Sequence, residues 1–237
     1  MTRRRWIADE FSDNRAALTG EHADHLVRVL RVRAGQEFDI AAGARVRRGR
    51  VLAVADGRVE FELGEEVPAA ATASVTLLLS VFKFNRMEWA IEKCTELGVA
   101  RIVPLIARRT DVHLASASAK RAERWRRIAL QAAEQSRRAA APEVDDPLRL
   151  QEAVELSADL RVVLAESETQ TQLRDVLSLA AGAKKVLLAV GPEGGWADEE
   201  LALFHGRGWL SASLGATILR AETAAIAATA ILISGLS

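Results

Sequence analysis

The sequence is poor in residues that cross-link the chain or bind metal ions. Cys94 is the only cysteine among 237 residues, which excludes an internal disulfide and any cysteine-based metal cluster. Of the four histidines, only His22 and His25 are close in sequence, and no third ligand of suitable type lies near them. We therefore expect no metal site.

Long apolar runs are also missing. None approaches the roughly 20 residues that a membrane-spanning helix requires. The first six residues contain three arginines but no apolar stretch follows them, so they do not resemble a secretory signal. We expect a cytoplasmic protein with no membrane partner. The 32 basic and 32 acidic residues balance, so the net charge by itself does not indicate nucleic acid.

Two glycine-bearing loops near the C-terminus are the most informative feature. Residues 191–195 read Gly-Pro-Glu-Gly-Gly and residues 214–220 read Leu-Gly-Ala-Thr-Ile-Leu-Arg. The apolar run 185–190 before the first loop predicts a strand buried on both faces. Ligands bind at the carboxyl ends of such strands in open α/β sheets, so the loops predict a binding site, although a glycine-rich turn can also be only a turn.

The residues after the first loop restrict the ligand. Residues 196–200, from Trp196 to Glu200, are predicted to form the first turn of a helix, where the carboxylates of Asp198, Glu199 and Glu200 would repel a phosphate group. The loop also has neither the Walker sequence nor the Gly-x-Gly-x-x-Gly spacing. A neutral or cationic ligand is favoured over a polyphosphate.

The chain is predicted to have two domains, residues 1–68 and 74–237, joined by a linker at 65–74. Before the linker, short alternating runs bounded by glycines indicate a small β-barrel at 37–40, 50–54 and 58–63. After it, apolar runs that alternate with helical stretches predict a mainly parallel α/β sheet. The predicted strands are 75–82, 101–106, 160–165, 185–190 and 209–212.

Two helices can be placed from their apolar periodicity. The first is predicted to be capped by Asn85, to bury Cys94 in an apolar stripe and to end at Gly98. The second is predicted over residues 119–140, with one packing face and one face of cations and amides. That second face suits phosphates and base edges, but a merely solvated helix has the same pattern. Arginines also cluster in residues 28–50 and 108–138, which favours a positive surface for RNA or simply solvated arginines.

Five ordered runs carry a family resemblance. They are residues 86–89, 93–99, 131–136, 191–195 and 214–224. Together they resemble the bacterial small-subunit ribosomal RNA uridine-N3 methyltransferases. Residues 25–31 are similar to that family's His-Leu-x-x-Val-Leu-Arg segment, so the resemblance covers nearly the whole chain.

The resemblance implies a SPOUT-class α/β domain with a trefoil knot, preceded by a PUA-like barrel that binds RNA. It implies S-adenosylmethionine as cofactor, a homodimer, and 16S ribosomal RNA or the small ribosomal subunit as substrate. The cofactor would be held by Leu164, Gly191, Pro192, Glu193, Gly194, Gly195, Leu214, Gly215, Ile218 and Leu219. RNA-binding candidates, from the resemblance and the charged surfaces together, are His25, Arg28, Arg31, Lys83, Arg86, Arg109, Arg124, Arg127, Gln135 and Arg138.

Methylation at uridine N3 requires loss of the imide proton and stabilisation of the resulting anion. The catalytic candidates are Arg220 as a permanent cation and Glu134 or Glu222 as proton acceptor. Glu222 could equally anchor the start of the alanine-rich helix predicted at 221–232. That helix could pack against a second subunit or belong to the core of its own chain.

The sequence departs from the family pattern at two places. Ala216-Thr217 replaces a basic pair, and Lys83-Phe84-Asn85 replaces Lys-Gly-Asp or Lys-Gly-Glu, which puts in doubt some phosphate contacts. Two rival functions therefore stay open: an RNA-binding ribosome-assembly factor without catalysis, and a methyltransferase that acts on another RNA.

Overall fold

The computed structural model describes residues 5–236 except 44, 56, 68–72, 137 and 180–181. The chain divides into two compact units, Met1–Ala70 with Ala133–Ala141, and Ala71–Ala132 with Pro142–Ser237. The predicted linker at 65–74 includes residues 68–72, which lie outside the described residues. Sequence reasoning did not foresee that residues 133–141 join the first unit.

The first unit contains a six-stranded sheet that closes on itself. Its strands are β1 (Arg5–Ile7), β2 (Glu10–Phe11), β3 (Arg15–Thr19), β4 (Glu37–Ala42), β5 (Arg45–Ala55) and β6 (Arg58–Glu66), in the order β1-β4-β5-β6-β3-β2. Ala8 N–H donates to Ala41 and Asp9 N–H to Ala17, so one short segment bonds to both edges of the sheet. The three predicted runs lie within β4, β5 and β6.

The core of the first unit comes from alternate residues of these strands. Leu18, Ile40, Val59 and Phe61 are fully buried, as the period of two predicts for one face of each strand. Helix α1 (Gly20–Asp24) continues into a π-helical turn, His25–Val29, which buries Leu26 against the same core.

The second unit has a parallel sheet, as predicted. Its strands are β7 (Ser74–Ser80), β8 (Arg101–Ile106), β9 (Glu143–Val144), β10 (Leu148–Arg149), β11 (Leu160–Leu164), β12 (Lys185–Val190) and β13 (Leu210–Ala212). The order is β10-β8-β7-β12-β11-β13, with β9 also paired to β8. Every pairing is parallel.

Helices cover both faces of this sheet. The remaining helices are α2 (Phe84–Leu97), α3 (Val112–Gln135), α4 (Leu150–Ala153), α5 (Leu173–Leu179), α6 (Asp198–Gly206) and α7 (Ala221–Gly235). One core cluster joins the sheet to α2, α3, α5 and α7, and the other joins it to α4 and α6. Among the described residues, no helix has both the length and the apolar character needed to cross a bilayer.

Two helix boundaries differ from the prediction. Helix α2 begins at Phe84 rather than after Asn85, because the Lys83 carbonyl already accepts the amides of Arg86 and Met87. Helix α3 begins at Val112 and ends at Gln135, whereas residues 119–140 were predicted. Its start is fixed by Asp111, whose carboxylate accepts the amides of His113 and Leu114 at 2.8 and 3.2 Å.

Helix α2 packs as its periodicity indicates. Met87, Ala90, Ile91 and Cys94 are buried, and Gly98 ends the helix with φ of 113°. Helix α7 packs mainly on α2 and α5, so its buried face belongs to the core of its own chain.

Candidate functional site

Three loops meet at the carboxyl ends of neighbouring strands in the second unit. Strands β12, β11 and β13 are adjacent and parallel, so their ends, Val190, Leu164 and Ala212, lie at one edge of the sheet. The segments that follow these ends line a cavity of about 910 Å³. Its size is in the range of small-molecule and cofactor sites.

All ten predicted cofactor residues lie in the lining of this cavity. They are Leu164, Gly191, Pro192, Glu193, Gly194, Gly195, Leu214, Gly215, Ile218 and Leu219. Two of the three segments, 191–195 and 214–219, belong to the glycine-bearing loops, and the structure brings both to one edge of the sheet. The third segment, 165–172, follows β11.

Arginines hold the loop 191–195 in place. Arg86 Nη1 donates to the Glu193 carboxylate at 2.7 Å, and Arg109 Nη1 donates to the Gly194 carbonyl at 2.9 Å. The loop closes with a turn in which Gly195 N–H donates to Pro192. Gly195 has φ of 69°, a conformation that favours glycine. The loop is therefore held at a fixed position beside the cavity.

Trp196 and Glu200 attach the end of this loop to two other strand ends. The Trp196 indole N–H donates to the Leu164 carbonyl at 2.8 Å. Glu200 is 6% exposed, and its two carboxylate oxygens accept the amides of Arg108 and Ala197 at 2.8 and 2.9 Å. Glu200 thus joins the start of α6 to the segment after β8.

The segment 213–220 is tied to the loop after β11. Ser213 N–H donates to Thr171, and its carbonyl accepts from Leu173, both at 2.9 Å. Gly215 has φ of 124°, which few residues other than glycine adopt. Ile218 is 79% exposed, so this segment also presents apolar surface to solvent.

The cavity has charges of both signs in its lining. The acidic residues are Glu166, Glu168, Glu193 and Asp198, and the basic ones are Arg86, Arg109 and Arg220. The amides of Thr171 and Gln170 donate to Glu168 and lower the pKa of its carboxyl, so this group stays ionised. The site can accommodate a ligand that carries positive charge.

The three catalytic candidates occupy different environments. Arg220 precedes α7, is exposed, lines the cavity and forms no salt bridge within the described part of the chain. Glu222 is 4% exposed, with Oε1 3.6 Å from Arg86 Nε. Glu134 lies in the last turn of α3 and pairs with His22 at 3.1 Å. Of the three, only Arg220 belongs to the described lining.

Several RNA-binding candidates of the second unit are engaged in contacts within the protein. Arg86 and Arg109 hold the loop 191–195, and Arg124 makes two hydrogen bonds to Glu88, at 2.7 and 2.9 Å. Lys83 and Arg127 are exposed. The predicted cationic face of α3 is therefore solvent-facing, but part of its charge is already paired.

In the first unit, His25, Arg28 and Arg31 lie on or beside the π-helical turn and all three are exposed. The His25 ring is 5.6 Å from the Trp6 ring, and Arg31 has φ of 50°. A left-handed arginine is uncommon, and such strain is concentrated at functional sites. The sequence did not predict the left-handed backbone at Arg31, beside this exposed turn.

The last two candidates lie at the end of α3. Gln135 is the final helical residue and is exposed. Arg138 was predicted on the same helical face, but it lies beyond the helix end and is half-buried. Burial lowers the pKa of Arg138 from its ordinary value. The prediction that residues 124–138 form one continuous helical face is wrong, because the helix stops at Gln135.

Comparisons with known proteins agree with this geometry. Residues 69–233 match the RNA methyltransferase domain family. A ribosomal RNA small subunit methyltransferase E from Synechocystis is 35% identical over 217 residues, which cover 90% of this chain and 71% of the relative.

Two solved structures extend the likeness over nearly the whole chain. One is a ribosomal RNA small subunit methyltransferase E from Neisseria gonorrhoeae bound to S-adenosylmethionine, with 28% identity and a TM-score of 0.79 over 96% of this chain and 95% of that one. The other, from Legionella pneumophila, is described as a methyltransferase in complex with the same cofactor; its identity is 30% and its TM-score 0.78 over 99% and 98% of the two chains. Because residues 69–233 match this family and a relative that is 35% identical covers 90% of the chain, the chain belongs to the RNA methyltransferase family.

Proposed function

We propose that this protein transfers a methyl group from S-adenosylmethionine to N3 of a uridine in small-subunit (16S) ribosomal RNA. The observation that carries the proposal is the cavity formed by three loops at adjacent strand ends. The family and its relatives support methyl transfer onto RNA as the reaction at this site.

The residues of the cavity fit this cofactor. Leu164, Val190 and Leu214 supply apolar surface for an adenine ring, and the backbone of the glycine loops supplies hydrogen-bonding groups for its edge. Glu166 and Glu168 supply negative charge for a cationic ligand without phosphate. When bound, S-adenosylmethionine supplies a methyl group on a positively charged sulfur.

Arg220 is the proposed catalytic cation. Its positively charged guanidinium lines the cavity and is not neutralised by a salt bridge within the described residues. It can therefore stabilise negative charge as the uracil imide loses its proton.

Glu222 and Glu134 differ in how well they suit proton transfer. Glu222 is buried, and its Oε2 has no hydrogen-bond partner in the described structure, so it has an available acceptor atom next to Arg86. Glu134 is held by His22. We propose Glu222 as the better candidate, acting either directly or by fixing Arg86 at the cavity.

RNA contact is proposed to involve both units. The first unit would act as a PUA-like barrel that presents His25, Arg28 and Arg31 to the phosphate backbone. Lys83, Arg127 and Gln135 are exposed candidates elsewhere. Because the substrate is ribosomal RNA, the proposal places the protein in the cytoplasm.

We also propose a trefoil knot and a homodimer. The knot is supported by the path of the chain: after the edge strand β13, Ser213 bonds to the loop after β11, and α7 then packs on the central strands β7 and β12. The dimer is supported by exposed apolar side chains, Trp89 at 48% and Ile218 at 79%. Sedimentation equilibrium would test the dimer, and a purely monomeric protein would contradict it.

The direct test is methyl transfer from labelled S-adenosylmethionine to small ribosomal subunits and to free RNA, followed by mass analysis of the modified nucleoside. We expect N3-methyluridine with the wild type and a large loss with Arg220→Ala. Arg174→Ala is the matched control, because Arg174 is an exposed arginine of the same unit that is not in the described lining. RNA binding without transfer would instead support the assembly-factor alternative, and a different methylated nucleoside would support another RNA target.

A further inference from the structure

We propose that Trp196 is a positioning residue that fixes the ends of β11 and β12 at the separation the cofactor requires. The proposal rests on the function proposed above and extends it. Trp196 lies directly after the loop 191–195 and belongs to the cavity lining, but it is only 7% exposed, so most of its indole is packed against protein.

The first contact of the indole is with the end of β11. Its Nε1–H donates to the Leu164 carbonyl at 2.8 Å, across 32 positions of the chain. Leu164 is the last residue of β11 and is 9% exposed, so its carbonyl lies where regular strand pairing ends. A buried carbonyl in that place needs a donor, and the indole provides one.

The second contact is with the end of β12. Gly191 is the first residue after this strand, and a Cβ built on it would lie 3.1 Å from Trp196 Nε1 and 3.2 Å from Cε2. The absence of a side chain at Gly191 is therefore what lets the indole pack against the backbone there. One side chain thus contacts the two adjacent strand ends from which two of the three cavity loops begin.

These contacts explain how loops that carry mainly backbone groups can hold a defined geometry. Binding constellations must be held to within about half an ångström, which requires side chains that packing and hydrogen bonds fix in place. Phenylalanine at position 196 could retain the edge-to-face contact with Phe204, whose ring centroid is 4.9 Å away, but it has no N–H to donate. Trp196→Phe therefore removes the hydrogen bond while keeping most of the apolar contact.

The same aromatic cluster contains a matched control. The Trp209 ring is also 4.9 Å from Phe204, and its indole N–H donates to the Val154 carbonyl at 3.3 Å. Trp209 is 2% exposed and is not in the described lining of the cavity. Trp209→Phe thus removes an equivalent group from the same core without touching the strand ends at the site.

The experiment measures S-adenosylmethionine binding by calorimetry and unfolding by urea, using the full chain as wild type, Trp196→Phe and Trp209→Phe. We expect similar unfolding midpoints for the two variants. Only Trp196→Phe should raise the dissociation constant for S-adenosylmethionine, by about tenfold, which is the size expected for one lost buried hydrogen bond. In methyl transfer, the KM for the cofactor should rise by the same factor while kcat at saturating cofactor is largely retained.

A second variant keeps the test decisive if Trp196→Phe unfolds. Gly191→Ala places a methyl group against the same indole and should by itself weaken cofactor binding. Where Trp196→Phe folds, the effect of Gly191→Ala should be smaller in that background. Three results would overturn the inference. They are unchanged cofactor binding in Trp196→Phe, equally weakened cofactor binding in Trp209→Phe, and strictly additive effects of Trp196→Phe and Gly191→Ala on cofactor binding. If the wild type itself does not bind S-adenosylmethionine, the proposed function fails, and this inference fails with it.

Discussion

Replacing Glu200 by glutamine exchanges one carboxylate oxygen for an NH₂ group, and this small change should strongly destabilise the second unit. Each oxygen of this buried carboxylate accepts a different backbone amide, one from Ala197 and one from Arg108. Glutamine keeps one acceptor but turns an NH₂ donor toward the other amide, so one buried N–H loses its partner.

The magnitude follows from the two groups affected. A buried donor without a partner costs about 1–3 kcal/mol. Loss of the negative charge in the first turn of α6 adds about 0.3–1 kcal/mol, because this charge interacts favourably with the helix dipole. We therefore expect the free energy of unfolding to fall by about 2–3 kcal/mol.

Urea unfolding followed by circular dichroism measures this change, with an unaltered m-value as the sign that only stability has changed. Glu199→Gln is the control, since Glu199 is adjacent, also contacts Arg108, and has a side chain that is 71% exposed. Glu199→Gln also removes a charge from the first turn of α6 but leaves both buried amides paired, so its free energy of unfolding should fall by no more than about 0.3–1 kcal/mol. If Glu200→Gln unfolds at the same urea concentration as Glu199→Gln, the assigned role of Glu200 is wrong.

Three further predictions concern titration and packing. The hydrogen bond to Glu134 raises the pKa of His22 from 6.5 to about 9, so its contribution to stability is complete below pH 6.5 and is lost as the pH rises through 9. Because solvent screens this partly exposed pair, the free energy of unfolding of the wild type should fall by only about 1 kcal/mol between pH 6.5 and pH 9, and His22→Gln should abolish this fall. The same pH dependence in wild type and His22→Gln would contradict the prediction. Gly49→Ala should cost about 1–3 kcal/mol in urea unfolding, because its Cβ would overlap Ile40, and an unchanged midpoint would refute this. Burial raises the pKa of Cys94 to about 12, so iodoacetamide should alkylate it at pH 8 only after denaturation; rapid labelling of the folded protein would disagree.

The parallel sheet was largely predictable from the sequence. The strands Arg101–Ile106 and Lys185–Val190 coincide with the predicted ones, because both are short apolar runs bounded by polar residues. The convergence of the glycine-bearing loops was predictable as well, since parallel neighbouring strands have their carboxyl ends at one edge.

The ends of α3 were not predictable from local preferences. Residues 136–140 include no glycine or proline, and their alanines and arginines favour helix, yet the helix stops at Gln135. Residues 133–141 belong to the first unit, so contacts distant in sequence override the local preference there. The same contacts bring Glu134 to His22.

The long-range hydrogen bonds that hold the site in place could not be predicted from local sequence patterns either. The sequence predicted Glu200 as one of three acids at a helix start, but its bond to Arg108 spans 92 positions. Trp196 was assigned to a helical turn, and its bond to Leu164 depends on which strands are neighbours. Knowledge of the strand order, rather than of any motif, would have indicated both.

The position of β12 in the sheet has a consequence for biosynthesis. This strand pairs with β7, more than 100 residues earlier, and with β11, so it joins two parts of the sheet. While the ribosome is still making residues 185–190, the facing edges of β7 and β11 have unpaired backbone groups, which are prone to associate with other chains. Pairings so distant along the chain also slow folding. A nascent polypeptide of this design therefore stays vulnerable to aggregation until its last quarter is synthesised, and chaperones that bind exposed strand edges should increase its yield.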